Sequence, residues 1–303
     1  MNSRAQISSF VKVLESKLPN IKIVKNATFK NYTTIGVGGK IFAMALVDSE
    51  PKLMALLGLC QEHNISYFVL GNGSNILASD KTFYDLVIKI EMKSISKKGN
   101  KIIAASGVNM FALNQFAIAS NLGGLEWSYG LPGSVGGAIK MNAGSFGHEI
   151  GEFVSLVYYT DGKKVYKKYA KSLHFSYRQS YFSNSTFIIL SAVFCLKEAK
   201  SDEIKHLCQH FYQKRLDTQP YSQKSAGSIF KRPQGNFAPV LIQSCGLKGY
   251  KIGDAQVSDK HCGFIVNLKN AKFNEIFKII CKIKKTVSKK FDIILQEEVV
   301  ILK

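Results

Sequence analysis

The chain has 303 residues, 46% of them hydrophobic, which is enough for two or three domains with real cores and no need of disulfide or metal staples. Its formal charge of +20 invites a nucleic-acid reading. The arginines, however, are only Arg4, Arg178, Arg215 and Arg232, so the charge is diffuse lysine, the mark of a solvated surface and not of a phosphate-reading stripe. The first turns place Ile7, Phe10, Val11, Leu14 and Leu18 at helical spacing, an amphipathic helix unlike the apolar block of a signal peptide. With no apolar run near the ~20 residues a bilayer requires, a cytoplasmic chain with neither membrane nor nucleic-acid partner is expected. The cysteines at 60, 195, 208, 245, 262 and 281 are scattered, without Cys-x-x-Cys spacing, and His206 and His210 lack the accompanying Glu of a zinc helix. No metal site is expected.

Residues 42–47 read as a strand, Pro51 suits a first helical position, Leu53 to Leu59 supply a buried helix face, and residues 67–70 form a second strand, together a βαβ unit. Strands are expected at 86–90 and 102–105, then a helix from Asn109 to about Asn121. A glycine-rich run covers 129–147. Two strands at 153–160 and 164–169 meet at a hairpin turn, Asp161-Gly162, and a third spans 187–196. A composition change near 196–202 suggests a boundary. Beyond it come a helix to about Arg215, a loop over 218–233, a short helix opened by Pro239, a long helix over about 271–291, and a terminal apolar strand over 293–302.

Three segments carry chemistry. Gly71, Asn72, Gly73, Ser74 and Asn75 follow a strand end, where bare backbone and two short polar side chains can receive an anion or simply make a tight turn. They lack both the Rossmann register and a P-loop lysine. In the run over 129–147, glycines at 130, 133, 136, 137, 144 and 147 suit close approach of a large flat ligand better than a structural turn. Pro132 stiffens the entry, Ser134 and Asn142 can hydrogen-bond, and Val135, Ala138 and Ile139 can pack a ring. Trp127 reads as core. The third segment, 225–233, sets two hydroxyls beside Lys231 and Arg232, suited to anions. His261 reads as structural. Of Glu297 and Glu298, one can face a site and the other solvent, because neighbouring strand residues point to opposite faces.

In this order, Thr33-Thr-Ile-Gly-Val-Gly-Gly39, the 70–75 loop, Gly130-Leu-Pro-Gly-Ser-Val-Gly-Gly137 with Met141-Asn-Ala-Gly144, Ser176-Tyr-Arg178, Gly227-Ser-Ile-Phe-Lys-Arg-Pro233 and Glu298-Val299 resemble the UDP-N-acetylenolpyruvoylglucosamine reductase family, over about residues 31–299. The resemblance implies an α+β fold: a lead-in over 1–30, a two-lobed FAD-binding domain of the vanillyl-alcohol-oxidase (PCMH) type over 31–197, with lobes of about 31–90 and 91–197, and an α+β substrate-binding domain over 198–303. It implies non-covalent FAD held by Gly71, Asn72, Gly73, Ser74, Asn75, Gly130, Pro132, Gly133, Ser134, Gly136, Gly137, Asn142, Ala143 and Gly144. It further implies NADPH as reductant and the enolpyruvyl ether of UDP-N-acetylglucosamine as substrate, in peptidoglycan precursor synthesis.

By the same motif match Ser228 is the proton donor, with Arg178 and Glu298 beside the substrate carboxylate and enol. Tyr177, Arg215, Gln219, Lys231 and Arg232 are the expected substrate-binding groups. Many relatives carry Asn where this chain has Arg232 and Arg where it has Val300, and the chain is short enough to lack the tyrosine-bearing insertion of the longer subtype. A monomer is expected. The competing expectation is another flavin-dependent oxidase or dehydrogenase on the same scaffold.

Overall fold

A computed structural model describes residues 2–303. The chain divides into two compact units. The first comprises residues 1–26, 42–72 and 84–213, the second 27–41, 73–83 and 214–303. They do not follow a linear division at 197 and 198, because hydrogen bonds tie early segments to the C-terminal strands: Thr34 Oγ1 donates to Ser225 O at 2.7 Å and Asn75 Nδ2 to Glu298 O at 3.0 Å.

Among the described residues the first unit contains, beside two two-stranded sheets, two larger ones. One is ordered Lys22–Thr28, Lys40–Val47, Leu86–Ile90, Tyr67–Leu70. The strands expected to make a βαβ unit are present, with helix Glu50–Glu62 between them, but Leu86–Ile90 lies between the two and pairs in parallel with both. The other sheet is antiparallel, ordered Val165–Tyr169, Val154–Thr160, Ile188–Cys195, Lys101–Ala105, Ile95–Lys98. Its expected hairpin closes at Thr160 and Val165, with Asp161 Oδ1 accepting from the amides of Lys163 and Lys164. Helix Met110–Ala119 begins at Asn109, whose side chain accepts from Ala112 N, the ordinary N-cap solution to orphan amides. One continuous core joins Ile7, Leu53, Ile88, Ile102, Trp127 and Phe194, and Trp127 is buried in it as expected.

The second unit has its own core around Ile35, Leu77, Ile229, Ile265, Ile276 and Ile280. Its sheet is ordered Lys224–Ser228, Phe264–Asn267, Ala255–Val257, Lys251–Ile252. Strand Lys224–Ser228 lies inside the expected 218–233 loop. Its residues Lys-Ser-Ala-Gly-Ser show no apolar alternation, and it is strand only because Phe264–Asn267 supplies the ladder. The expected terminal strand shrinks to Val300–Leu302, paired in parallel with Ile76–Ala78. Ahead of it the chain leaves helix Phe273–Phe291 through a left-handed Asp292, and Ile294 is 77% exposed, so apolar composition alone made that stretch look like strand. No helix among the described residues is long and apolar enough to cross a membrane.

Candidate active site

In the first unit the two glycine segments touch. A methyl on Gly71 would sit 2.5 Å from Ser134 Oγ, and Asn72 Nδ2 donates to Gly133 O at 2.8 Å. Asn72 therefore spends its amide holding the second segment. The run turns at Gly130, whose φ of 79° favours glycine, and enters helix Val135–Lys140 with Ser134 as its cap. The amides of Val135 and Gly136 donate to Val108 O and Ser106 O, at 2.8 and 2.9 Å. Gly136 is glycine because its Cβ would lie 2.9 Å from Ser106 Cβ. Gly137, by contrast, is exposed, leaving bare backbone at the surface.

Further along, Asn142 is fully buried and left-handed at φ 44°. Its amide donates to Glu149 Oε2 at 2.6 Å and Ser176 O at 2.9 Å, and its Oδ1 accepts from Gly151 N. Its side chain thus organises the loop from within. Ala143 donates its amide to Ala138 O, and Gly144 accepts at its carbonyl from Arg178 Nη2 at 2.9 Å.

Arg178 occupies a two-residue turn closed by mutual backbone bonds between Ser176 and Gln179. Its φ of 54° is uncommon for a non-glycine residue, a strain that a fold retains where the side chain must be aimed. The guanidinium lies over the Tyr177 ring at 4.9 Å and 4.0 Å from Glu149 Oε1. Arg178, Glu149, Asn142 and Gly144 thus form one polar network built into the glycine wall, while the Tyr177 ring is exposed.

The second unit carries Ser228 and Glu298. Strand Lys224–Ser228 loses register between Ser225 and Ser228, a bulge at which Gly227 takes φ 73°; such bulges re-aim the following side chain. Ser228 Oγ donates to Phe230 O at 3.3 Å and faces Gly263, where a methyl would stand 3.3 Å from it. Ile229 O accepts the Glu298 amide at 2.8 Å, and Phe230 bridges to Glu297, so the serine and glutamate segments are neighbours. The two glutamates differ: Glu297 Oε1 accepts from Lys284 Nζ at 2.7 Å, and Glu298 lies one residue on, in the stretch held by Ile229 and Asn75.

Around this corner, Gly73 takes φ 63° with its Cβ position 2.0 Å from Tyr32 O, so only glycine fits there. Ser74 follows it in the turn, half-buried. Lys231 is half-buried and its amide donates to Gln296 O. Arg232 is exposed, its guanidinium over Phe237 at 4.6 Å. Arg215 is only 2% exposed and donates to Gln219 Oε1 at 3.3 Å; burial pushes its guanidinium below the ordinary value. Pro132 is exposed at the entry of the run.

Sequence reasoning treated His261 as structural, yet its ring packs at the serine corner. Its Nδ1 accepts from Gly263 N at 3.2 Å, and a methyl on Gly263 would be 2.9 Å from its Cε1. Burial lowers its pKa, and an accepting Nδ1 leaves the proton of the neutral ring on Nε2. Spacing gave no signal for this, since the contact depends on the strand pairing.

The lining fits a large polar ligand in the first unit: a surface without side chain at Gly137, and a buried Ser106 hydroxyl beside Gly136 with no hydrogen-bond partner. No group of three or more His, Cys, Asp or Glu that could hold a metal ion gathers among the described residues. The class these features define is that of flavoproteins: residues 43–160 match the family model described as FAD binding domain.

Residues 219–302 match the model of the C-terminal domain of UDP-N-acetylenolpyruvoylglucosamine reductase. The reductase of that name from Clostridium novyi is 40% identical over 290 residues, covering 95% of this chain and 94% of the relative. The one from Thermotoga maritima is 39% identical, covering 88% and 94%. The crystal structure of the Thermus caldophilus reductase superposes with a TM-score of 0.80 at 31% identity, covering 93% of this chain and 99% of that one. The chain belongs to the UDP-N-acetylenolpyruvoylglucosamine reductase family, as its ordered motifs implied.

Proposed function

We propose that this chain reduces the enolpyruvyl ether of UDP-N-acetylglucosamine to UDP-N-acetylmuramate, with NADPH as reductant and FAD held non-covalently by the glycine segments. The observation that carries the reading is the pairing of the Ser228 and Glu298 segments through the Ile229 carbonyl, 2.8 Å from the Glu298 amide, in a chain whose first unit presents an anchored arginine. Bound FAD would supply a two-electron carrier that takes hydride from NADPH and delivers it to the double bond.

Charge then develops on the substrate carboxylate, and Arg178 is suited to receive it. Its guanidinium is fixed by Gly144 O and the Tyr177 ring, so a bidentate contact costs little further ordering. Ser228 gives its proton to the carbon beside the carboxylate and is recharged from solvent. In the resting state that proton is held by Phe230 O, a weak acceptor bond that is exchanged for the substrate. Lys231, three residues on, supports the serine as its oxygen gains charge. Glu298 lies on the adjoining segment and orients the enol end. Arg215 with Gln219, Arg232 and Tyr177 are assigned to the UDP-sugar; Arg215, already desolvated, favours an anionic partner.

The experiment follows the two half-reactions separately, by anaerobic absorbance. Ser228→Ala protein should bind FAD and be bleached by NADPH as the unaltered protein is, while its reoxidation by the enolpyruvyl ether falls by about 10²–10⁴-fold, the usual worth of a placed proton donor. Reoxidation at the unaltered rate would remove Ser228 from the chemistry.

A further inference from the structure

Within the second unit, the segments bearing Gly73, Ser228 and Glu298 are joined by hydrogen bonds, and those made by Thr34 and Asn75 have no role in the chemistry above. The Thr34 amide donates to Gly73 O at 3.2 Å, and the Thr34 hydroxyl donates to Ser225 O at 2.7 Å. Ser225 pairs with Val266 and is the last in-register residue before the bulge that delivers Ser228. Two residues after Gly73, Asn75 Nδ2 donates to Glu298 O at 3.0 Å, and Asn75 O accepts from Val300 N at 3.0 Å. The Glu298 amide returns to Ile229 O, next to Ser228.

The result is a closed circuit: Ser228 to Ser225 along the strand, across to Thr34, across to Gly73, along the loop to Asn75, across to Glu298, and back through Ile229 to Ser228. In such a circuit each link fixes the others, and on the side away from Glu298 the loop is joined to the serine strand through one threonine. The neighbouring Thr33 does a different job: its hydroxyl donates to Phe29 O at 2.8 Å, within its own turn. The turn is also fastened to the sheet by Asn267, whose Nδ2 donates to Ile35 O, so removing one hydroxyl at position 34 leaves its fold supported.

We propose that Thr34 is a positioning residue for the proton-transfer step: its hydroxyl, by holding the Ser225 carbonyl, sets where the bulge delivers Ser228 relative to Glu298 and the 73–75 loop. This rests on the reductase reading above. It predicts an effect confined to the half-reaction that uses Ser228, because nothing in the transfer of hydride from NADPH depends on the serine.

The test compares Thr34→Val, nearly isosteric but without the donor, with Thr34→Ser, which restores it. FAD content and the rate of bleaching by NADPH should stay within about twofold of the unaltered protein. Reoxidation at saturating enolpyruvyl ether should slow about tenfold in Thr34→Val and recover in Thr34→Ser, the scale expected for losing one net hydrogen bond. Unchanged reoxidation in Thr34→Val overturns the proposal. So does an equal fall in both half-reactions that Thr34→Ser does not rescue, which is the pattern of general structural damage. If the valine protein does not fold, Thr34→Ala is judged by the same ratio of half-reactions. An unaltered protein that binds FAD but is not reoxidised by the enolpyruvyl ether overturns the reductase reading itself; a competent one beside an unaffected Thr34→Val overturns only the role of Thr34.

Discussion

The glycine wall of the first unit and the serine and glutamate corner of the second are held by different means. In the wall the helix cap and the inner turn use partners close in sequence: Ser134 caps its own helix at Gly137, and Asn142 reaches Glu149 and Gly151. Asn72 holds Gly133 and Arg178 holds Gly144 from farther away in the chain. In the corner the partners are remote: Thr34 holds Ser225, and Asn75 holds Glu298. Where the wall rests on its local bonds, it fails when its own residues are altered. A corner made by chain closure can be disturbed from residues that carry no chemistry at all.

The largest expected effect, after loss of the serine, is at Arg178, the point of the wall to which the proposed reaction assigns charge stabilisation. Arg178→Lys keeps the charge but loses the planar fork that Gly144 O and the Tyr177 ring orient. Steady-state assays should show kcat/KM for the enolpyruvyl ether down by about 10²-fold, as for loss of one oxyanion donor, with the NADPH half-reaction retained. A fall in KM affinity alone, with kcat intact, would make Arg178 a binding group and not a stabiliser of developing charge.

Motif order made the glycine wall and the family readable and singled out Arg178, Ser228 and Glu298 for test, although only Ser228 sits beside a glycine. Their support was not readable. The Asn142 side chain turned inward, since a left-handed residue at a buried turn must satisfy its own neighbours. Strand Lys224–Ser228 has no periodic pattern and owes its existence to Phe264–Asn267. Thr34, Asn75 and His261 gained roles only when strands far apart in sequence were paired. Conversely, Ile293 and Ile294 suggested strand on composition although no partner strand receives them.

A smaller effect should follow from Gly144→Ala, which tests how rigid the wall is at this turn. The added methyl would lie 2.6 Å from His148 O and 3.0 Å from Arg178 Nη1. Backbone must move, at a cost of about 1–3 kcal/mol, read as a lower urea midpoint, and Arg178 is displaced with it. If the midpoint is unchanged, the strand pair of Gly144 with Glu149 yields easily and the wall is softer than the corner.

The smallest effect concerns the corner and is read through pH. Burial lowers the pKa of His261 from its ordinary 6.5, so the unfolded chain takes up a proton at a pH where the folded chain still refuses it. The stability this neutral ring allows is therefore present above pH 6.5 and is lost as pH falls through the lowered folded value, since stability rises with pH wherever the unfolded state binds more protons. His261→Asn keeps an acceptor near Gly263 N and removes the titration. Its urea midpoint should fall less between pH 7.5 and pH 5.5 than that of the unaltered protein, the other histidines being common to both. Equal slopes would mean that the ring is protonated at no cost, and that the space it shares with Ser228 over Gly263 is open to water.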